Sequence, residues 1–141
     1  MIAHRLSSVD HAGFLALLGH LHPHPANPDP TLFEQLLTHP GTSLWGMDAG
    51  GALTATATLH LLPNLTYGGQ TYGLVENVVT APEARGLGHA SAVMRALRAH
   101  AQAANAYKLM LLSGRHRDAL GFYERLGYSP DEKHGLVLRL P

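Results

Sequence analysis

Residues 77–92 read NVVTAPEARGLGHASA, and this stretch constrains the fold more than any other part of the chain. Its β-branched start favours a strand, and Pro82 cannot continue a ladder of strand hydrogen bonds. Gly86 and Gly88 follow closely, and a helical spacing then relates Ala90, Val93, Met94 and Leu97. A glycine-rich turn that leads into a helix presents free N–H groups at the positive end of the helix dipole. The stretch therefore predicts a binding site for a phosphate or pyrophosphate, and hence a phosphorylated cofactor.

Two common nucleotide-binding motifs do not match this loop, because particular residues differ. A P-loop ends in Gly-Lys-Ser/Thr, and no lysine lies near this loop. A dinucleotide-binding loop has a third glycine or an alanine where this chain has Ser91, and an acidic residue about 20 positions further on. That later neighbourhood reads Ala-Tyr-Lys-Leu over residues 106–109. A purely structural helix entry that uses two glycines for its turn stays open at this point.

Two motifs together resemble those of the GNAT family of N-acetyltransferases. The loop matches the pattern R/Q-x-x-G-x-G/A through Arg85, Gly88 and Ala90. After an apolar segment, DALGFYERLGY over residues 118–128 is similar to the family's A-x-x-F-Y-x-x-x-G-F/Y segment through Ala119, Phe122, Tyr123, Gly127 and Tyr128. The resemblance covers the chain from Leu74 to the C-terminus, whereas the first half carries no diagnostic motif.

The predicted element order is β-α-α-β-β-β-α-β-α-β, which is the order that the resemblance implies. We therefore expect an α/β (α+β) chain, residues 1–141 forming a single GNAT domain with a mixed, mostly antiparallel sheet flanked by about four helices. Ala3–Leu6 begins as a strand, a helix follows from Ser7 or Ser8, and a second helix begins at Asp29 or Thr31 after a proline-rich loop. The later predicted elements are strands over Ser43–Met47, Ala52–Leu62, Tyr72–Thr80 and Tyr107–Ser113, a helix over Asp118–Leu126 and a last strand over Leu136–Leu140.

The resemblance implies acetyl-CoA as the cosubstrate and assigns its contacts. The loop N–H groups would hold the pyrophosphate, and the strand before the loop would present its backbone to the pantetheine arm. Where many relatives have an asparagine, this chain has His116, so His116 or Ser113 would substitute or the contact would be lost. The cofactor-binding residues expected on this basis are Val78, Val79, Thr80, Arg85, Gly86, Leu87, Gly88, His89, Ala90, Ser113, His116 and Phe122.

Two side chains are expected to be catalytic. Acetyl transfer needs a neutral amine, so a general base helps, and the departing thiolate needs a proton. The resemblance places the base at Glu76, on the strand before the loop, and the acid at Tyr123, whose phenol can protonate a thiolate. The alternative for Glu76 is an ion pair at a strand edge, and the alternative for Tyr123 is packing on an apolar helix face.

Composition excludes several other functions. Charged residues make up 14% of the 141 residues, and 10 Lys and Arg balance 10 Asp and Glu, so no basic surface indicates nucleic acid or an anionic membrane. The chain has no cysteine, which excludes disulfides and thiolate metal sites. His20, His22 and His24 alternate with residues that include prolines, so we expect no metal site there. No stretch indicates a signal peptide or a membrane span, and we expect a cytoplasmic protein.

The sequence therefore predicts transfer of the acetyl group of acetyl-CoA to a primary amine of a small molecule, by direct attack. Acetylation of a peptide or protein amine is the alternative within the same fold. A second alternative is that the protein is not an enzyme but a non-catalytic acyl-CoA-binding regulatory module. The acceptor's identity is open, because the half of the chain without motifs builds its pocket. A homodimer is also open, since such relatives often form one but no residue pattern here indicates it.

Overall fold

The computed structural model describes residues 2–141 and contains one five-stranded sheet. The strands are β1 (His4–Arg5), β2 (Thr42–Ala49), β3 (Ala52–Leu62), β4 (Thr71–Thr80) and β5 (Ala106–Met110), in the spatial order β1-β2-β3-β4-β5. Neighbours are antiparallel except β4 and β5, which are parallel. Parallel strands need a crossover, and here it is a long helix between them. The predicted mixed, mostly antiparallel sheet is thus confirmed.

Within residues 2–141, four α-helices flank the sheet: α1 (His11–Leu21), α2 (Pro30–Thr38), α3 (His89–Ala103) and α4 (Leu120–Arg125). Successive side chains of β3 point to opposite faces of the sheet, and an apolar core lies on each face. Ala55, Ala57 and Leu59 are fully buried in one core with Val93 and Leu97 of α3. On the other side, the apolar cluster that includes residues of α1 and α2 consists of Leu6, Phe14, Phe33 and Leu44.

The turn residues act as the sequence predicts. Gly50 and Gly51 both have positive φ, 60° and 81°, in the two-residue turn between β2 and β3. The Asp29 carboxylate accepts from the Thr31 N–H at 2.9 Å and caps α2, with Pro30 in its first turn. The first helix differs slightly from the prediction, because a short 3₁₀ turn over Ser8–Asp10 precedes α1.

Two predictions for the end of the chain need correction. The strand predicted over Tyr107–Ser113 ends at Met110, because the chain leaves β4 after Leu74 pairs with Met110. The strand predicted over Leu136–Leu140 is wrong, because these residues form no ladder within residues 2–141. Alternating apolar residues favour a strand, but a strand also needs a partner, and this segment has none among the residues that the structure describes.

Candidate active site

The parallel strands β4 and β5 separate at the centre of the molecule. Their pairing ends at Leu74 and Met110, although β4 continues for six more residues to Thr80. A bulge lies in this continuation, where Asn77 has a φ of 54° and the pairing with β3 shifts between Thr56 and Thr58. The separation leaves the β5 side of the second half of β4 without a partner strand. An extended ligand with amide groups could therefore pair with this backbone.

The loop after β4 adopts the conformation that its glycines permit. Gly86 and Gly88 have φ values of 76° and 85°, and Gly88 is the N-cap of α3. The first bond of the helix runs from the Ala92 N–H to the Gly88 carbonyl. The N–H groups of residues 89–91 precede that bond, so they are free to bind an anion at the positive end of a 15-residue helix.

A buried hydrogen-bond chain fixes the start of α3 to the sheet. The Thr54 hydroxyl donates to the Met47 carbonyl at 2.9 Å and lies 2.7 Å from Nδ1 of His89. A carbonyl only accepts, so the Thr54 proton is committed to Met47, and Nδ1 of His89 must carry the proton of the second bond. His89 is 6% exposed. Its role in this structure is thus to hold the first turn of α3 in place.

The strand opening and the loop line one cavity of about 830 Å³. This volume lies in the range of small-molecule sites, about 300–1,000 Å³. The cavity brings together most of the residues singled out from the sequence: Glu76, Val78, Val79, Thr80, Arg85, Gly86, Gly88, His89, Ala90, Ser113, Phe122 and Tyr123. Leu87 and His116 do not line it. Leu87 is 58% exposed, and His116 packs its ring against Gly114.

Tyr123 and Glu76 both line this cavity, and the charge of Glu76 affects the Tyr123 phenol. Burial raises the pKa of the Tyr123 phenol, the Arg117 guanidinium lowers it, and the Glu76 carboxylate raises it. The net direction is upward, so the phenol keeps its proton at neutral pH. A carboxylate and a protonated phenol in one cavity are a base and an acid of the kind that acyl transfer to an amine requires.

The end of α4 positions Tyr123. Gly127 has a φ of 93°, the Tyr128 N–H donates to the Tyr123 carbonyl at 3.1 Å and the Gly127 N–H donates to the Glu124 carbonyl at 2.9 Å. This is the Schellman arrangement that glycine permits after a helix. The Phe122 and Tyr128 rings contact the Tyr123 ring edge to face, with centroids 5.0 and 6.0 Å away. The phenol therefore has a defined orientation.

The cavity is also lined by residues that are not among the predicted site residues. The end of α1 reaches the cavity through His20 and Leu21, and the Arg117 guanidinium donates to the Leu21 carbonyl at the C-terminus of that helix. Arg95 and Arg125 also line the cavity. With Arg85 and Arg117 they make four guanidinium groups against the two carboxylates of Glu76 and Asp118, although the whole chain has no net charge. The cavity therefore suits an anionic ligand.

The histidines of the proline-rich loop, unlike His20 of α1, lie outside the cavity. His22 and His24 stack on each other with centroids 5.0 Å apart and do not line the cavity. Across residues 2–141, no three His, Asp or Glu side chains lie together in a way that could hold a metal ion. In the same part of the chain, no helix is both long and apolar enough to cross a membrane.

Comparison with known proteins identifies the family. A model of the acetyltransferase (GNAT) family matches residues 11–128. The chain belongs to the GNAT acetyltransferases. The structure of a candidate acetyltransferase from Agrobacterium tumefaciens strain C58 superposes with a TM-score of 0.91, at 34% identity, over 99% of this chain and 100% of that one. The GNAT fold inferred from two motifs is thus confirmed for the chain.

Two further relatives of this GNAT acetyltransferase have named activities. A glucosamine 6-phosphate N-acetyltransferase of Trypanosoma brucei brucei is 30% identical over 132 residues, which are 91% of this chain and 88% of that protein. The glucosamine-6-phosphate N-acetyltransferase of Arabidopsis thaliana shares the fold with a TM-score of 0.86, at 21% identity, over 98% of this chain and 96% of that one. The protein is an acetyltransferase, and GNAT acetyltransferases use acetyl-CoA as cosubstrate.

Proposed function

We propose that this GNAT protein transfers the acetyl group of acetyl-CoA to a primary amine of a small molecule by direct attack. The observation that carries the proposal is the meeting of Glu76 and Tyr123 in one cavity, beside the free N–H groups at the start of α3. Glu76 takes a proton from the acceptor amine, directly or through water, and the amine then attacks the thioester carbon. The carbon–sulfur bond breaks, and Tyr123 protonates the leaving thiolate. The nitrogen of the new amide then loses its excess proton, which restores the Tyr123 phenol.

The residues of the cavity fit acetyl-CoA. The N–H groups of residues 89–91, with Gly86 and Gly88 shaping the loop, bind the pyrophosphate. The unpaired edge of Val78, Val79 and Thr80 binds the amide groups of the pantetheine arm, between β4 and residues 111–114. Ser113 and Phe122 also line the cavity. In the proposed complex, the thioester lies between Glu76 and Tyr123.

An anionic amine is the acceptor class that we favour. Four arginines line the cavity, and the Trypanosoma relative acts on a phosphorylated amino sugar according to its name. A basic peptide tail would meet guanidinium groups, which repel it. We therefore propose an amino sugar phosphate as the first acceptor to test, with a peptide or protein amine as the alternative.

A thiol-release assay with a panel of amines tests this function. Glucosamine 6-phosphate, glucosamine and an N-terminal alanine peptide are compared at equal acetyl-CoA, with glucose 6-phosphate as the control that lacks an amine. We expect release of coenzyme A with the amines, fastest with the phosphorylated one. Calorimetric binding of acetyl-CoA without release for any amine would favour the non-catalytic module, and preference for the peptide would favour the protein-acetylating alternative.

A further inference from the structure

Thr58 of β3 has a buried hydroxyl that forms no hydrogen bond with any group in residues 2–141. The side chain is 2% exposed, and its Oγ1 atom is shielded from water. Buried hydroxyls in folded proteins are nearly always hydrogen-bonded, because an unpaired one loses its hydration and gains nothing in return. An unpaired buried hydroxyl therefore needs an explanation, and a role in catalysis is one of the recognised explanations.

The neighbours of Thr58 on the same face of β3 already have partners. Thr56, two residues earlier, donates its hydroxyl proton to the Trp45 carbonyl at 2.7 Å. His60, two residues later, has its Nδ1 2.9 Å from the Thr42 hydroxyl. A partner for the Thr58 hydroxyl must therefore come from one of the two adjacent strands.

On the adjacent strands, Thr58 pairs with Leu44 of β2 and with Glu76 of β4. Directly opposite residues of antiparallel strands lie on the same face, with their Cβ atoms about 4.5–5.5 Å apart. Leu44 presents only an apolar side chain, whereas Glu76 presents two carboxylate oxygens that accept hydrogen bonds. This spacing is within reach of a threonine hydroxyl and a glutamate carboxylate. The acceptor placed beside the Thr58 hydroxyl is thus the candidate base.

The bulge of β4 begins at the residue after Glu76. Asn77 has a φ of 54°, and the ladder shifts there, so that Thr58 pairs with Glu76 but Thr56 pairs with Val79. Bulges change the direction of nearby side chains, and Glu76 is exposed where it lines the cavity. The carboxylate and the Thr58 hydroxyl are not bonded in the structure, and rotation between staggered side-chain positions is enough to join them.

We propose that Thr58 is a positioning residue for Glu76: its hydroxyl donates to the carboxylate and holds it toward the acceptor amine. The role rests on the proposed function, in which Glu76 takes the proton of that amine. The hydrogen bond stabilises the charged carboxylate, which is the form that accepts a proton. It also restricts the rotation of a side chain that lies in an open cavity. The hydroxyl keeps its own proton throughout, so no covalent bond of Thr58 changes.

Removal of the hydroxyl tests this role. Thr58→Val keeps the branched shape and should lower kcat/KM by about 10-fold for the amine of the panel that wild type uses fastest, with little change in the KM for acetyl-CoA. The acid limb of the pH–rate profile should move to higher pH, because the carboxylate loses a donor that stabilises its charge. Thr58→Ser keeps the hydroxyl and should retain most of the activity and the wild-type profile.

Thr56→Val is the matched control on the same face of β3. It removes a hydroxyl that bonds to a backbone carbonyl, so it should lower the unfolding free energy and leave the pH–rate profile unchanged. The other titratable groups of the cavity are the same in all of these variants. They include His20 of α1, Arg85 and Arg95 around the start of α3, and Arg117, Asp118 and Tyr123 near α4.

A double-mutant cycle shows whether Thr58 acts through Glu76. In the Glu76→Gln background no carboxylate is left to hold, so Thr58→Val should change kcat/KM by less than about two-fold. An equal loss in both backgrounds, a wild-type pH–rate profile in Thr58→Val, or a Thr58→Ser variant as impaired as Thr58→Val would overturn the positioning role alone. Wild-type profiles in both Thr58→Val and Glu76→Gln would instead overturn the base, and with it the proposed mechanism.

Discussion

At the scale of single residues, the proposed chemistry depends on a carboxylate and a phenol whose surroundings differ. Glu76 is exposed at the cavity, whereas Tyr123 is half-buried and its pKa is raised. A raised pKa keeps the phenol protonated through neutral pH, so it is available as a proton donor. In the proposed mechanism, the Glu76 carboxylate accepts a proton and the Tyr123 phenol donates one.

Substitution of Tyr123 tests the acid. Tyr123→Phe removes only the hydroxyl, so kcat should fall by about 10²–10⁴-fold while the KM for acetyl-CoA changes little. Tyr128→Phe is the matched control, because Tyr128 contacts the Tyr123 ring but does not line the cavity. Steady-state thiol release measures both variants. An unchanged kcat in Tyr123→Phe would remove this residue from the mechanism.

Substitution of Glu76 tests the base. Glu76→Gln keeps the size of the side chain and removes its ability to take a proton, so kcat/KM should fall by about 10²-fold or more. The acid limb of the pH–rate profile should also shift. Glu83→Gln, at an exposed acid that does not line the large cavity, is the control. If the profile of Glu76→Gln matches wild type, another group is the base.

Removal of the buried Thr54 hydroxyl should lower the unfolding free energy more than removal of the Thr58 hydroxyl on the same strand. Thr54→Val leaves the Nδ1–H of the buried His89 without an acceptor, which costs about 1–3 kcal/mol of unfolding free energy. It should also weaken binding of coenzyme A, because His89 begins α3. The Thr58 hydroxyl is buried with no partner in residues 2–141, so Thr58→Val should be close to neutral. Urea unfolding and calorimetric binding measure both, and equal losses would contradict this account.

At the scale of secondary-structure elements, the junction of β4 and β5 determines where the cavity opens. A Cβ atom at Gly73 would meet the side chains of Leu109 on β5 and Leu59 on β3, so glycine allows the strands to pack closely here. Beyond Leu74 the strands separate, and the bulge at Asn77 turns β4 toward the loop. Close packing at one end and separation at the other produce the opening.

Two glycine substitutions should therefore have opposite effects. Gly73→Ala overfills the junction and should cost about 1–3 kcal/mol of unfolding free energy. Gly19→Ala lies on the exposed face of α1 with nothing within 4 Å, so it should stabilise by roughly 0.5–1 kcal/mol. Chemical denaturation measures both. A neutral Gly73→Ala would show that the junction can relax.

At the scale of the whole molecule, two half-buried tyrosines make stability depend on pH in the alkaline range. Burial and the neighbouring Tyr123 raise the pKa of Tyr128 to about 12, against an opposing effect of Arg98. Above pH 10 the unfolded chain loses the phenol proton, whereas the folded chain keeps it until about pH 12. The unfolded state therefore binds fewer protons in this window, and the unfolding free energy falls as pH rises.

The alkaline range gives the corresponding measurement. Wild type should lose stability between pH 10 and 12, and Tyr128→Phe should lose less over the same interval. Urea unfolding at pH 8, 10 and 11 measures the difference between the two slopes. Tyr67→Phe, at a tyrosine that is 68% exposed, is the control and should follow wild type. Parallel curves for wild type and Tyr128→Phe would contradict the coupling.

Features that depend on neighbours in sequence were predictable from the amino-acid sequence alone. The loop at Gly86 and Gly88, the turn at Gly50 and Gly51 and the helix end at Gly127 all need positive φ, which glycine adopts without cost. Helical and strand periodicity located α3, β3 and β4 for the same reason. Together with the two motifs, these local features indicated the family and the fold.

Features that depend on contacts between distant residues were decided only by the tertiary structure. Arg117 contacts Leu21 across 96 positions, and Thr54 meets His89 across 35, so no local pattern could indicate either contact. The strand predicted over Leu136–Leu140 shows the same limit. Its residues alternate as in a strand, yet a strand forms only where a partner edge is available, and only the fold shows that these residues have no partner strand within residues 2–141.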